Sequence, residues 1–427
     1  MRPVSPPWAS AVKLRCCAAT GTIFFHMFAR PSVWLIMLAL LGTHMAGMGA
    51  FLTVPVLAPA IAAETGLSAS LVGIHTALVY TGALFSGPVA QGLLQRHGGV
   101  RVCQGSLVIV AGGIALAVIG HPVALALSAL LAGFGHGPIT PAGSHLLAPR
   151  TPPRIRSLIF GLKQCGVPAG AMMVAALAPI LATHFGWRAG VLAVALFVLL
   201  LALALQPLRA ALDTDRMAPG GAPLRPWQDA KSSLSILRDD ARIRALTIAA
   251  SSFGIAQFCF GSFFVVWQVQ VMGTGLEQAG LMLALAQVGG VAGRIAWALV
   301  ADRVGAVPVL LALGVAIACA CGLLVLAGPA WPTLLIAAIA VAMGASAIGW
   351  NGVLLGEVAR VAPAGRVGAA TAALGFAFAG TMIVMPTLFS ALVLTTGGYG
   401  VGFAMCAIAA LGGTGVVARL HFAPRAP

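Results

Sequence analysis

The chain is written in long apolar runs cut by short basic ones. Twelve stretches run without period-two alternation: 33–60, 70–95, 100–120, 122–147, 157–183 and 187–207, then 244–272, 276–303, 306–328, 331–358, 367–395 and 399–419. Each covers about 20 residues or more, the length that crosses a hydrocarbon core as a helix. Backbone in lipid must satisfy its own N–H and C=O groups, which leaves helices or closed barrels, and unbroken apolar runs select helices. The pattern predicts an all-α integral membrane protein with twelve spans.

Composition sharpens this. Of 427 residues, 60% are hydrophobic and 8% charged, about a third of the charged fraction of an ordinary soluble domain. The net charge of +15 would gather on one face in a nucleic-acid binder. Here it is strung between the spans, so the expected partners are the lipid bilayer and a small molecule, not nucleic acid. With the N-terminus in the cytoplasm, 21 Lys and Arg fall on the cytoplasmic side and only Arg188 on the other. Lys163 and Arg294 are left inside the membrane. The positive-inside rule then predicts a multi-pass protein of the plasma (inner) membrane with both termini cytoplasmic. The eight cysteines show no metal-ligand spacing and read as small packing residues. No nucleotide loop, metal motif or nucleophile constellation occurs, so neither an enzyme nor a cofactor is expected.

The stretches fall into two sets of six. The second stretch ends Gln95-Arg96-His97-Gly98 and the eighth ends Asp302-Arg303-Val304-Gly305, a repeat offset by 207 residues. A weaker pair is His145 with Arg154 against Glu357 with Arg366, both nine residues apart. The expected organisation is a cytoplasmic tail 1–31, a six-helix half 32–207, a cytoplasmic loop 208–243, a second half 244–420 and a short tail 421–427. The loop carries Pro219, Gly220, Gly221, Pro223 and Pro226, which no helix runs through unbroken. Its segment 228–243 is a candidate surface helix. Met27 is a candidate alternative start within the tail.

These motifs resemble the major facilitator superfamily, whose basic loop after the second helix has the form G-x-x-x-D-R-x-G-R-R. The copy at Ala298 to Gly305 keeps Asp302, Arg303 and Gly305; the first copy departs, with Gln95 at the acid position. The resemblance implies two six-helix halves related by pseudo-symmetry and transport by alternating access. Gly161 to Gly170 (G-L-K-Q-C-G-V-P-A-G) is similar to the glycine-proline motif of antiporter-type members but lacks the second glycine of its closing pair. Gly293-Arg294 resembles the membrane arginine of the monocarboxylate-porter and oxalate/formate branches, where that arginine meets a substrate carboxylate. The aspartate one turn earlier in some of those porters is Gly290 here.

A charge at the centre of a span costs at least ~2.5–3.5 kcal/mol, so Lys163 and Arg294 need a reason. Both stand about 9–12 Å inside the cytoplasmic end by helical rise. An anionic substrate is the sharp reading, with Arg294 giving bidentate carboxylate recognition. The plain readings are a snorkelling Lys163 and an Arg294 that pairs with Glu357 or caps carbonyls. Gln164, Gln257, Gln287 and His136 are candidate substrate contacts by helical facing. His136 and His44 are candidate proton-coupling groups, with a deprotonatable Lys163 as a third. Asp302, Arg303, Glu357, Arg366, Gln95 and Arg96 sit at helix ends and read as a cytoplasmic gate. Gly166-Val167-Pro168-Ala169-Gly170, Pro138 and Pro141 are candidate hinges. The function expected is secondary transport of a small organic anion by a monomer, with a proton as candidate coupling ion. The alternatives are an exporter of amphipathic compounds, for which Met172 and Met173 offer an adaptable lining, and a non-transporting receptor.

Overall fold

A computed structural model describes residues 31–152, 155–214, 234–363 and 366–422. Twelve helices in it are long and apolar enough to cross a membrane. In the first half they are α1 (Val33–Thr65), α2 (Ala69–Ser86), α3 (Gly99–Ile119), α4 (Pro122–Arg150), α5 (Ile159–Phe185) and α6 (Trp187–Leu212). The second half holds α7 (Ala241–Gln270), α8 (Leu276–Val304), α9 (Ala306–Leu326), α10 (Thr333–Val361), α11 (Val367–Thr396) and α12 (Gly400–Arg419). Among the described residues there is no strand. The all-α, two-half architecture expected from the apolar pattern is the one observed.

Local chemistry sets the boundaries. Ser32 caps α1 by accepting from Leu35 N at 3.2 Å, and Asp240 caps α7 by accepting from Arg242 N and Ile243 N. The predicted second stretch is not one helix: α2 stops at Ser86 and a separate short helix, Ala90–His97, follows. Gly98 and Gly305, the shared residues of the sequence repeat, both have left-handed φ, +85° and +90°, and turn the chain into α3 and α9. At Gly98 a Cβ would stand 2.4 Å from the Asp213 carboxylate. That bareness lets Asp213 reach Val100 N at 2.8 Å and Arg101 N at 3.0 Å, so the end of α6 caps the start of α3.

Four helices are interrupted. A turn at Gly137-Pro138 splits α4, Cys165 splits α5, Leu205 splits α6, and Ile348-Gly349 splits α10. Of the expected loop helix at 228–243, residues 234–239 are helical, and Ile236 is buried against the second half. The remaining readings on residues 1–30 (Met27 included), Arg154, 215–233 and 423–427 lie outside the described residues.

The halves meet along α2 and α11, α5 and α8, and α1 and α7. One face of the bundle carries the start of α1, the end of α12 and most of the described arginines; it is called the basic face here, and the opposite one the far face. On the far face the halves are sealed. A Cβ at Gly73 of α2 would stand 1.9 Å from the Pro386 carbonyl of α11, and one at Gly280 of α8 would stand 2.4 Å from the Ala175 carbonyl of α5. Hydroxyls reinforce this: Ser390 donates to Ser70 O at 2.6 Å, Thr76 and Ser262 lie 2.7 Å apart, and Tyr399 lies 3.2 Å from the Ser70 hydroxyl. Thr183 of α5 donates to Glu277 of α8.

Toward the basic face the halves part. Along one stripe of α11, Thr371 and Gly375 are exposed, Phe378 is half-buried, and Met382, Pro386 and Phe389 are buried. Most contact between α5 and α8 falls within Gly166–Phe185, beyond the break at Cys165, and α4 and α10 share no extensive contact.

Candidate functional site

Arg294 sits at the inner edge of the α5–α8 contact. Its Nη1 donates to the Gln164 carbonyl at 2.8 Å and its Nε to the Ile348 carbonyl at 3.2 Å. Both carbonyls lie at helix breaks. The residue four after Gln164 is Pro168, which has no N–H, so the Gln164 carbonyl lacks its helical donor and a guanidinium takes the place. Arg294 is half-buried, and no carboxylate of the described residues lies within 4.0 Å of it. The carbonyl-capping reading of Arg294 describes this conformation; the Glu357 pairing does not.

From Ile348 the polar contacts continue. Asn351 Nδ2 lies 3.5 Å from the Ile348 carbonyl and 3.4 Å from Gln257 Oε1, and Trp350 Nε1 donates to the same oxygen at 3.2 Å. Gln257 therefore sits in the network by way of α7 and α10. Gln287 is buried in α8, and Gln164 is half-buried with its side-chain oxygen unpartnered.

Lys163 turns the other way. It is 1% exposed, packed inside the first half between α1 and α4. Its Nζ lies 3.4 Å from the Ser144 hydroxyl and 5.2 Å from the centre of the Phe160 ring. A Cβ at Gly143 would stand 3.3 Å from His44 Cε1 and 3.5 Å from Lys163 Nζ, which sets the two side chains beside each other. His44 Nδ1 meets the Leu40 carbonyl at 2.8 Å while its Nε2 has no partner. His136 packs against Gly47 with Nδ1 unpartnered. Lys163 and Arg294 thus lie on opposite sides of α5, with the Gln164 carbonyl facing Arg294. Burial also separates Lys163 from a snorkelling lysine.

The six gate candidates do not bridge the halves in this conformation. Glu357 is held by Arg360 on its own helix, at 2.7 and 2.5 Å, and not by Arg366. Asp302, Glu357 and Arg360 line a cleft of about 870 Å³ at the basic end of the second half. Arg303, Arg366 and Arg96 are exposed and Gln95 is half-buried. Among the described residues no group of His, Cys, Asp or Glu is arranged to hold a metal ion.

Sequence reasoning missed an aromatic cluster where the halves begin to part. Tyr80 of α2, Phe258 of α7 and Phe378 of α11 meet edge to face, with ring centres 5.1, 6.0 and 6.2 Å apart. Phe51 of α1 backs them at 5.9 Å from Tyr80 and 5.8 Å from Phe258. Trp350, the donor to Gln257, stands 6.2 Å from Phe378. The signal was faint: four aromatics spread over four helices, each among many apolar neighbours. Only the adjacency of Phe258 to Gln257 pointed this way.

Comparison with known proteins fits the architecture. The profile of the Major Facilitator Superfamily matches residues 39–386. The chain belongs to the major facilitator superfamily. Two curated relatives of Mycobacterium tuberculosis, each described as an uncharacterized MFS-type transporter, are 27% identical over 274 residues, 64% of this chain. The match spans 59% of the length of those relatives. Among solved structures, a POT family transporter in complex with 5-aminolevulinic acid superposes with a TM-score of 0.73 at 12% identity, over 91% of this chain and 96% of that one. A nucleoside transporter gives 0.68 at 14%, over 91% and 98%. At such identities the superpositions speak for the fold alone. Membership accounts for the two-half helical bundle, which is parted at its basic face and sealed at its far face.

Proposed function

We propose that this superfamily member is a secondary active transporter of a small organic anion, working by alternating access with a proton as coupling ion. The observation that carries the reading is Arg294: a guanidinium between the halves whose partners are two backbone carbonyls and no carboxylate of the described residues. A carboxylate offers a guanidinium two charged acceptors in its own plane, a stronger pairing than two neutral carbonyls from different helices. An incoming anion therefore competes with Gln164 and Ile348 for Arg294, and its binding loosens the tie between α5 and α8. With the basic face in the cytoplasm of the plasma membrane, the conformation described here is inward-open and the protein acts as a monomer. His44, His136 and Lys163, gathered in the first half on the other side of α5, are the groups that take up the proton.

The test is counterflow in proteoliposomes. A thermal-shift screen of the purified protein against mono- and dicarboxylates selects a radiolabelled substrate, since a ligand of the native state raises its apparent stability. Carboxylates compete for exchange, their neutral amides do not, and an inside-alkaline gradient drives accumulation. Arg294→Lys keeps the charge without the planar fork and lowers exchange at least ~10-fold, a loss of roughly 1.4 kcal/mol. Exchange of neutral amphiphiles that carboxylates leave untouched overturns the anion reading in favour of an amphiphile exporter.

A further inference from the structure

Resting on the anion reading, we propose that the substrate is an aromatic carboxylate, its ring held by Tyr80, Phe258 and Phe378 and its carboxylate by Arg294. The cation and the aromatic cluster form one constellation. Arg294 is joined through the Ile348 carbonyl to Asn351, from Asn351 to Gln257, and from Gln257 to Trp350, with contacts of 3.2, 3.5, 3.4 and 3.2 Å. Trp350 in turn stands 6.2 Å from Phe378, and Phe258 follows Gln257 in the chain.

Burial locates the cluster where the α11 stripe passes from exposed to buried. On α11 the stripe that ends in the far-face seal is exposed at Gly375, where a Cβ would meet nothing within 4 Å, and first becomes half-buried at Phe378. Tyr80 and Phe258 are half-buried as well, while Phe51 behind them is buried. Three half-buried rings from three helices, two of one half and one of the other, thus meet where the halves begin to part. The Phe378 ring is seated against a bare backbone: a Cβ at Gly254 would stand 2.3 Å from it. Pre-set rings lose little freedom on binding, and their edge-to-face arrangement matches a further ring better than a saturated chain. Because the rings come from both halves, a bound ring touches both, which is what a substrate of alternating access must do.

The experiment is calorimetric titration of the full-length protein in detergent with phenylacetate, cyclohexylacetate, acetate and phenylacetamide. Phenylacetate is expected to bind several-fold more tightly than cyclohexylacetate and at least ten-fold more tightly than acetate, with phenylacetamide not binding. Phe378→Leu is expected to remove the preference for phenylacetate over cyclohexylacetate. Should that variant fail to fold, the ranking on the unmodified protein decides. Equal binding of acetate, cyclohexylacetate and phenylacetate overturns the aromatic proposal and leaves the anion reading standing. Binding of phenylacetamide equal to that of phenylacetate sinks the anion reading, and this proposal with it. No binding by any of the four overturns the proposal, with other carboxylates in the thermal-shift screen then deciding the parent reading.

Discussion

Lys163 and the carbonyl of Gln164 are chain neighbours on opposite sides of α5, and their surroundings explain two different charges. Lys163 Nζ is sealed inside the first half with one hydroxyl at 3.4 Å and one ring face for company. That is poor compensation for an ammonium taken out of water, so the lysine opposes folding more than it supports it. Lys163→Met removes the charge at similar volume. The variant is expected to melt no lower than the parent, and to lose the dependence of substrate uptake on an imposed pH gradient. A melting point several degrees lower contradicts the folding cost assigned to Lys163, and an unchanged gradient dependence rules out its coupling role. Both cations were legible in the sequence, because a charge in an apolar run is conspicuous. Their partners were not. Lys163 and Arg294 look alike at similar depth, but the break at Cys165 sets which way Lys163 points. Arg294 is satisfied by backbone carbonyls, which every residue has and no sequence displays. The one legible clue was Pro168, which four residues earlier leaves a carbonyl without its donor.

At the scale of the element, α5 is two helical pieces joined at the position where Arg294 attaches. The proline costs the helix a hydrogen bond, and the arginine of α8 substitutes for the missing donor. Pro168→Ala returns an N–H to the Gln164 carbonyl and releases Arg294 from half of its work. Three consequences follow together: a higher melting temperature, a substrate affinity several-fold tighter because Arg294 is freer to meet the anion, and slower turnover because the break no longer opens and closes. Melting curves and separate measurement of KM and turnover in proteoliposomes check this. Unchanged affinity and turnover would show that the Arg294 tie is static packing. The glycine-proline segment was visible in the sequence as a bend. The break in α10 at Ile348-Gly349 was not, since no proline marks it and glycine is common throughout these spans.

For the whole molecule, the twelve spans and the two halves were readable because lipid thickness imposes one length and the basic loops repeat at 207 residues. The seal on the far face was not. Its polar members, Ser70, Thr76, Ser262 and Ser390, are small hydroxyls that ordinarily bond back to their own helix and leave no mark on an apolar run. What makes the seal tight is Gly73, whose missing side chain lets α2 lie on the Pro386 carbonyl of α11. No rotamer relieves a Cβ at 1.9 Å from a backbone oxygen, so one of the two helices must move. The two end-states of a transporter differ by only a few kcal/mol, and a clash present in one of them shifts the population toward the other. Gly73→Leu should therefore disfavour the conformation described here and favour one parted on the far face. Gly375, exposed on the basic-face stretch of α11, reports the change: in a Gly375→Cys background, alkylation by an impermeant maleimide from the basic side should slow several-fold once Gly73→Leu is added. In a Leu326→Cys background, whose position is exposed at the far end of α9, Gly73→Leu should not speed alkylation, which separates a shift between end-states from general loosening. Equal alkylation rates at position 375 with and without Gly73→Leu would mean that the α2–α11 contact is not what holds the far face shut.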